Sequence, residues 1–203
     1  LSGERYGRRG ACLYTAMEAR LGMTVGNRLE VEEAGQVLEG RGPEDVRTVA
    51  LGLAAVLLAA SDLGLDEAEA RRRATAALDE GRAAEAFERW CYVQGGRWKQ
   101  GEYHRLAEER VTSARAGTVA AIDALAVGQA AQLSGAGRRT VDDEVDPAAG
   151  VALACRVGDE VGAGDVLAPV YARDRRRREA AGARLNEAFT LADGPVERPP
   201  VIL

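Results

Sequence analysis

The sequence predicts an α/β chain: a strand and several helices, followed by a small β-rich, barrel-sandwich-like α+β domain. Three observations predict it. Apolar residues recur at helix spacing from Leu29 to Val93. A polar stretch with Gly95, Gly96 and Gly101 then interrupts that pattern at 94–109. Beyond Arg110 the chain falls into short apolar runs broken by glycines, as hairpins require. On this reading residues 1–95 form the α/β part, 96–109 a linker, and 110–203 the second domain with a terminal helix and tail.

Residues 9–17, RGACLYTAM, read as a short buried strand of small and β-prone residues. The loop LGMTVGN follows, and Asn27 is placed to cap a helix that has Glu30 three residues on, a box-like pattern at a helix end that suits acids. Capping leaves Glu33 unexplained, because it lies beyond the first turn. Leu29, Glu33, Val37 and Leu38 keep helix spacing up to Gly40, and Pro43 restarts the chain at a first-turn position. Val46, Val49, Leu53, Val56, Leu57 and Leu58 predict a well-buried helix ending near Ser61. A third helix starts near Asp66 and breaks at Gly81, and a fourth runs over 83–93. In the second domain "RVTSARAGTVAAIDA", "GQAAQLSGAG" and "GVALACRVGDEVGAGDVLAPVYA" read as hairpin segments. A terminal helix is expected over 175–189, and the two prolines of "ERPPVIL" make the tail extended.

With 203 residues, 46% of them hydrophobic, the chain can bury a proper core. A formal net charge of -5 argues against nucleic acid as a partner. The one dense basic run, 173–178, contains Asp174 and reads as a solvated helix face. Cys12, Cys91 and Cys155 are far apart and odd in number, which predicts reduced core thiols in a cytoplasmic protein. The apolar stretch 49–60 is too short to span a bilayer and no secretory pattern is present, so no membrane partner is expected. The sequence begins at Leu1 in a hydrophilic segment and is expected to be a piece of a longer protein.

"RVGDEVGAGDVLAPV" has the hairpin grammar of the barrel-sandwich modules seen in biotinyl and lipoyl carriers. Such carriers need an amine at an exposed hairpin tip, whereas the sole lysine, Lys99, falls in the linker. A domain without an organic cofactor is therefore expected. "SGAGRR", 134–139, has the glycines and arginines of a phosphate cradle, yet it matches neither GxGxxG nor GxxxxGK[ST]. A glycine-rich turn between strands is the commoner explanation. His104, the single histidine, lies in the polar linker and is expected to be solvated, with no zinc site around it. No serine or cysteine has a recognisable base beside it in sequence. Taken by themselves, these residues also suit a non-enzymatic binding or scaffold module built on the second domain.

In order along the chain, "GRRGACLYTAMEARLGMTVGNRLEVEEA", "EGRGPEDV", "FERWCYVQGG", "GAGRRTVDDEVDPAAGVAL" and "VGDEVGAGDVLAPVYA" resemble the C-terminal half of the thymidine phosphorylase and pyrimidine-nucleoside phosphorylase family. The resemblance implies that residues 1–95 are the C-terminal part of a large α/β phosphate-binding domain. It implies reversible phosphorolysis, in which inorganic phosphate attacks the anomeric carbon of a pyrimidine nucleoside and releases the base and a pentose 1-phosphate. The family's phosphate and pyrimidine motifs lie upstream, so no catalytic or substrate-binding residue is assigned here. One family site does map onto these residues: a monovalent cation, potassium, held by the backbone carbonyls of Leu21 and Thr24 and the carboxylate of Glu33. The resemblance also implies a homodimer of the complete enzyme. Departures are Thr24 for a common alanine, Arg28 for a small residue, and Val141-Asp142-Asp143 where the family has lysine-glutamate-aspartate.

Overall fold

Helix spacing is realised four times in succession between a first short strand and the remaining strands of two sheets. The computed structural model describes residues 4–7, 10–16, 21–99, 101, 106–138 and 140–203. Among these are six α-helices and two antiparallel sheets. Contacts divide the chain into two units, one of Leu1–Ala16, Ala34–Gln100 and Pro200–Leu203, the other of Met17–Glu33 and Gly101–Pro199. His104 and Arg139 lie outside the described residues.

The helices are α1 (Asn27–Leu38), α2 (Glu44–Ala60), α3 (Glu67–Asp79) and α4 (Arg82–Val93). Asp66 caps α3, its carboxylate accepting from the Glu69 N–H at 2.7 Å. In the first unit α2 packs against α3; the buried residues are Val49, Gly52 and Ala55 on the one and Ala70, Ala74 and Leu78 on the other. Arg47 joins Asp79 across the pair at 2.7 Å. Helix α2 is less buried than its apolar pattern predicts, because Leu53 and Leu57 are exposed while the small residues Gly52 and Ala55 are covered. Helix α4 has no buried residue. It carries an aromatic cluster in which the Phe87 ring lies 6.0 Å from Trp90 and 5.3 Å from Trp98.

The second unit holds β1 (Thr24–Val25), β2 (Glu108–Thr112), β3 (Gly117–Ile122), β4 (Gly150–Ala152), β5 (Glu160–Val161), β6 (Val166–Tyr171) and β7 (Phe189–Ala192). Its other helices are α5 (Ala124–Ala131) and α6 (Arg175–Asn186). The sheet orders are β1-β4-β6-β2 and β5-β3-β7. Strand β6 carries Pro169 between two neighbours. Its ladder to β4 ends at Val151 opposite Val170, one residue before the proline that has no N–H to give. The core gathers Val119, Val127, Val151, Val170 and Leu185, all below 2% exposed. Each such side chain contributes about 1.5–3 kcal/mol by leaving water.

Several expectations are corrected. Neither sheet closes into a barrel among the described residues, so the second unit is an open pair of antiparallel sheets with helices. Residues 10–16 are not a buried strand. They form one bridge, Thr15 opposite Ile202, and Cys12 is exposed, because a strand segment without flanking neighbours has nothing to bury it. Cys91 is half-buried, leaving Cys155 as the one core thiol. Asn27 is the first residue of α1 rather than its cap. The Gly26 carbonyl accepts the Glu30 N–H at 2.9 Å, and the Arg28 N–H at the helix start is satisfied by Pro147 at 3.1 Å. "GQAAQLSGAG" is helical up to a kink at Gly135: α5 runs on through Gln132, and its alanines pack into the core on a helix period that the glycines disguise. The terminal helix stops at Asn186, and Phe189 opens β7, where its ring packs on the core.

Gly26 and Gly150 place two backbones in direct contact. A Cβ on Gly150 would sit 2.2 Å from the Val25 carbonyl oxygen, and one on Gly26 2.3 Å from that of Ala149. No side chain fits there. Gly150→Ala is therefore expected to cost more than about 2 kcal/mol by driving β1 from β4. Gly128→Ala, exposed inside α5 with nothing within 4 Å of its Cβ, is expected to add about 0.5–1 kcal/mol. Denaturant midpoints of the two variants measure both.

Candidate functional site

The loop before α1 becomes an edge strand. Thr24 pairs with Ala152 and Val25 with Val151, and the Leu153 N–H donates to the Met23 carbonyl at 2.6 Å. That bond makes Met23 a hydrogen-bonded position of the antiparallel ladder. By alternation Thr24 occupies a non-bonded position, so its carbonyl is directed away from β4, on the side where β1 has no neighbouring strand among the described residues. Backbone that a helix would have used internally is in this way left available for a ligand.

Helix α1 returns Glu33 to this loop. The residue is 7% exposed, and its Oε1 accepts the Met23 N–H at 2.7 Å. Met23 lies between Leu21 and Thr24, so the carboxylate reaches into the same short segment that carries both expected carbonyls. Leu21 itself is 45% exposed. The Thr24 hydroxyl oxygen is buried without a hydrogen-bond partner, an orphan that ordinarily calls for water or an ion. Glu32, the next residue, does something different. It pairs with Arg28 at 3.3 Å one turn back, and both side chains are largely covered. This is the use the structure finds for the bulky Arg28.

A hard monovalent ion asks for several oxygens and little charge. One buried carboxylate, the outward Thr24 carbonyl of an edge strand and an orphaned hydroxyl are oxygen donors of the kind such an ion takes. Among the described residues no three His, Cys, Asp or Glu side chains converge as a metal cluster, so such a site depends on backbone oxygens. Sequence reasoning missed the Met23 amide and the orphaned Thr24 hydroxyl. A backbone amide leaves no trace in residue type, and the threonine shows its hydroxyl but not that it is buried.

The glycine-rich segment behaves differently from a phosphate cradle. Ser134 is 1% exposed and its hydroxyl donates to the Ala131 carbonyl at 2.7 Å. Gly135, at φ 107°, lies beneath the Arg177 guanidinium. The adjacent groove, of about 610 Å³, sets Arg176 and Arg177 beside Asp143, Glu144 and Asp174, so positive charge does not prevail there. Arg139, at the end of that segment, is outside the described residues. No helix among those residues is long and apolar enough to cross a membrane.

Burial, with the Asp159 carboxylate nearby, pushes the Cys155 thiol up to about 11. The unfolded chain releases this proton first, so the stability carried by the neutral thiol is whole below pH 9.0 and is lost as pH climbs toward about 11. At pH 8 iodoacetamide is expected to modify exposed Cys12 in the folded protein and Cys155 only after denaturant is added, as intact mass and peptide mapping will show.

Residues 118–192, from β3 through β7, match the family model described as pyrimidine nucleoside phosphorylase C-terminal domain. The chain is 38% identical over 192 residues to a thymidine phosphorylase of Mycobacterium tuberculosis, an alignment covering 94% of this chain and 43% of that protein. It is 32% identical over 209 residues to a pyrimidine-nucleoside phosphorylase of Geobacillus stearothermophilus, covering 98% and 47%. With a pyrimidine-nucleoside phosphorylase of Bacillus subtilis it shares 37% over 181 residues, covering 84% and 40%. The chain thus spans less than half the length of each of these relatives. Over the part that it spans, it belongs to the thymidine phosphorylase and pyrimidine-nucleoside phosphorylase family, with that family's C-terminal domain at 118–192.

Proposed function

We propose that this chain is the C-terminal portion of an enzyme that catalyses reversible phosphorolysis of pyrimidine nucleosides, uridine or thymidine, with inorganic phosphate as co-substrate. The observation that carries this reading is the likeness to proteins named for that activity along nearly the whole of this sequence. In such a reaction the attacking anion and fixed donors stabilise an oxocarbenium-like transition state. The groups that bind phosphate and base belong to the portion of the relatives that this chain does not cover. Residues 1–95 are the end of a large α/β phosphate-binding domain, and residues 110–203 a second, smaller α+β domain. The working enzyme is a cytoplasmic homodimer and uses no organic cofactor.

Within this chain the proposed contribution is a potassium site at Leu21, Thr24 and Glu33. The first two would give backbone carbonyls and Glu33 its carboxylate, and the orphaned Thr24 hydroxyl supports a further oxygen at the same place. A bound ion supplies positive charge that balances the buried Glu33. Glu33 holds the loop through the Met23 amide, so the ion and the loop are stabilised together.

Residues 1–203 alone are expected to release no uracil or thymine from a nucleoside, with or without phosphate; phosphate-dependent release would overturn the division of labour. The cation assignment is tested in the complete enzyme by thermal and kinetic titration with potassium chloride against choline chloride at fixed ionic strength. Glu33→Gln is expected to weaken the potassium dependence of stability and raise the phosphate requirement. Glu32→Gln loses the Arg28 pair, about 0.3–0.5 kcal/mol, and keeps the potassium response. Equal potassium responses in wild type and both variants would sink the assignment.

A further inference from the structure

Residues 10–16 carry strand-like sequence, and a strand must find a partner for its backbone groups. In the first unit that partner is the tail. The Ala16 N–H donates to the Val201 carbonyl at 3.0 Å and the Leu203 N–H to the Tyr14 carbonyl at 3.0 Å, with Thr15 facing Ile202 between them. The two bonds flank the facing pair, which is the narrow position of an antiparallel ladder, where side chains come closest. Ile202 then lies over α2: its Cδ1 is 3.2 Å from where a Cβ of Gly52 would be, and Leu13 Cδ2 is 3.3 Å from the same point. Gly52 is buried, so the helix offers a notch at the place where two apolar side chains rest. Pro199 and Pro200 have no N–H and favour extended backbone, so the tail reaches the notch already shaped as a strand.

We infer that the 13–16 edge and the Gly52 notch form a strand-accepting groove, and that residues 201–203 are its replaceable occupant. Main-chain bonds supply the attraction, and the notch selects an apolar side chain at the position of Ile202, the division of roles found when a peptide adds a strand to an open edge. The groove fits an extended peptide with an aliphatic residue at the position of Ile202. Two backbone bonds and the Ile202 anchor hold residues 201–203 among the described residues, so the release of that segment leaves the helix hydrogen bonds intact. This assignment stands on the geometry of the first unit and not on phosphorolysis.

The test uses the full chain. Ile202→Asp removes the anchor, and Leu203→Pro removes one donor while keeping an apolar residue. Amide hydrogen exchange at Ala16 is expected to quicken at least about tenfold in either variant, with Val119 in the second unit unchanged. A fluorophore-labelled peptide of residues 197–203 is expected to bind the Ile202→Asp chain saturably and restore protection at Ala16. The wild-type chain, whose own tail competes, should bind it at least about tenfold more weakly. The same peptide with aspartate in place of Ile202 should not bind. Unchanged exchange in both variants, or no peptide binding to an Ile202→Asp chain with wild-type circular dichroism, overturns the inference. If Ile202→Asp does not fold, Leu203→Pro carries the same measurements. Protection at Ala16 that falls on dilution of the wild type would make the occupant a second copy's tail and overturn the assignment within one chain.

Discussion

Two backbones meet at Gly26 and Gly150 with no side chain between them, and the rest of the candidate site depends on that contact. It allows Val25 to pair with Val151, which fixes the alternation of the edge strand and turns the Thr24 carbonyl outward. It also sets the start of α1, whose first free amide is taken up by Pro147. With the helix start fixed, the directions of two neighbouring acids are fixed too: Glu32 turns to Arg28 and Glu33 to the loop amide. Adjacent residues on a helix diverge by about 100°. One acid therefore serves the helix surface while its neighbour is enclosed.

Legibility in the sequence followed how local the cause was. Helices α2, α3 and α4 were readable because Pro43, Asp66 and Gly81 mark their starts or stops chemically, within a few residues of the apolar pattern. The pairing of residues 24–25 with 151–152 was not readable, because nothing in a two-residue strand names a partner far along the chain. The same is true of the segment around Thr15, whose neighbour is the tail. The helical nature of α5 was hidden by Gly128 and Gly135, which read locally as breaks while alanines between them pack as a helix face. Glu33 stood out in the sequence as an acid in the wrong place for capping. Its burial explains why, and only a structure could supply the amide that receives it.

The charged surface is largely self-contained. The arginine run before and within α6 is answered locally: Arg173 by Asp146, Arg175 by Glu179 and Arg177 by Asp174. Cations at a helix start oppose the dipole there, and the Asp174 cap, accepting the Arg177 N–H at 2.8 Å, offsets part of that cost. Exposed pairs of this kind contribute little stability each. They keep a dense basic segment from acting as a free field, consistent with an overall charge of -5.

The aromatic cluster of α4 has a consequence for observing the molecule. Trp90 and Trp98 are the only two tryptophans in the sequence, and both belong to the first unit, around Phe87. Intrinsic indole emission therefore reports on that unit alone, and the two packed sheets of the second unit contribute no indole signal. Far-ultraviolet dichroism, by contrast, sums over both. Coincidence of the two optical transitions would mean that the units melt as one cooperative body, and their separation would resolve two melting steps without any introduced label.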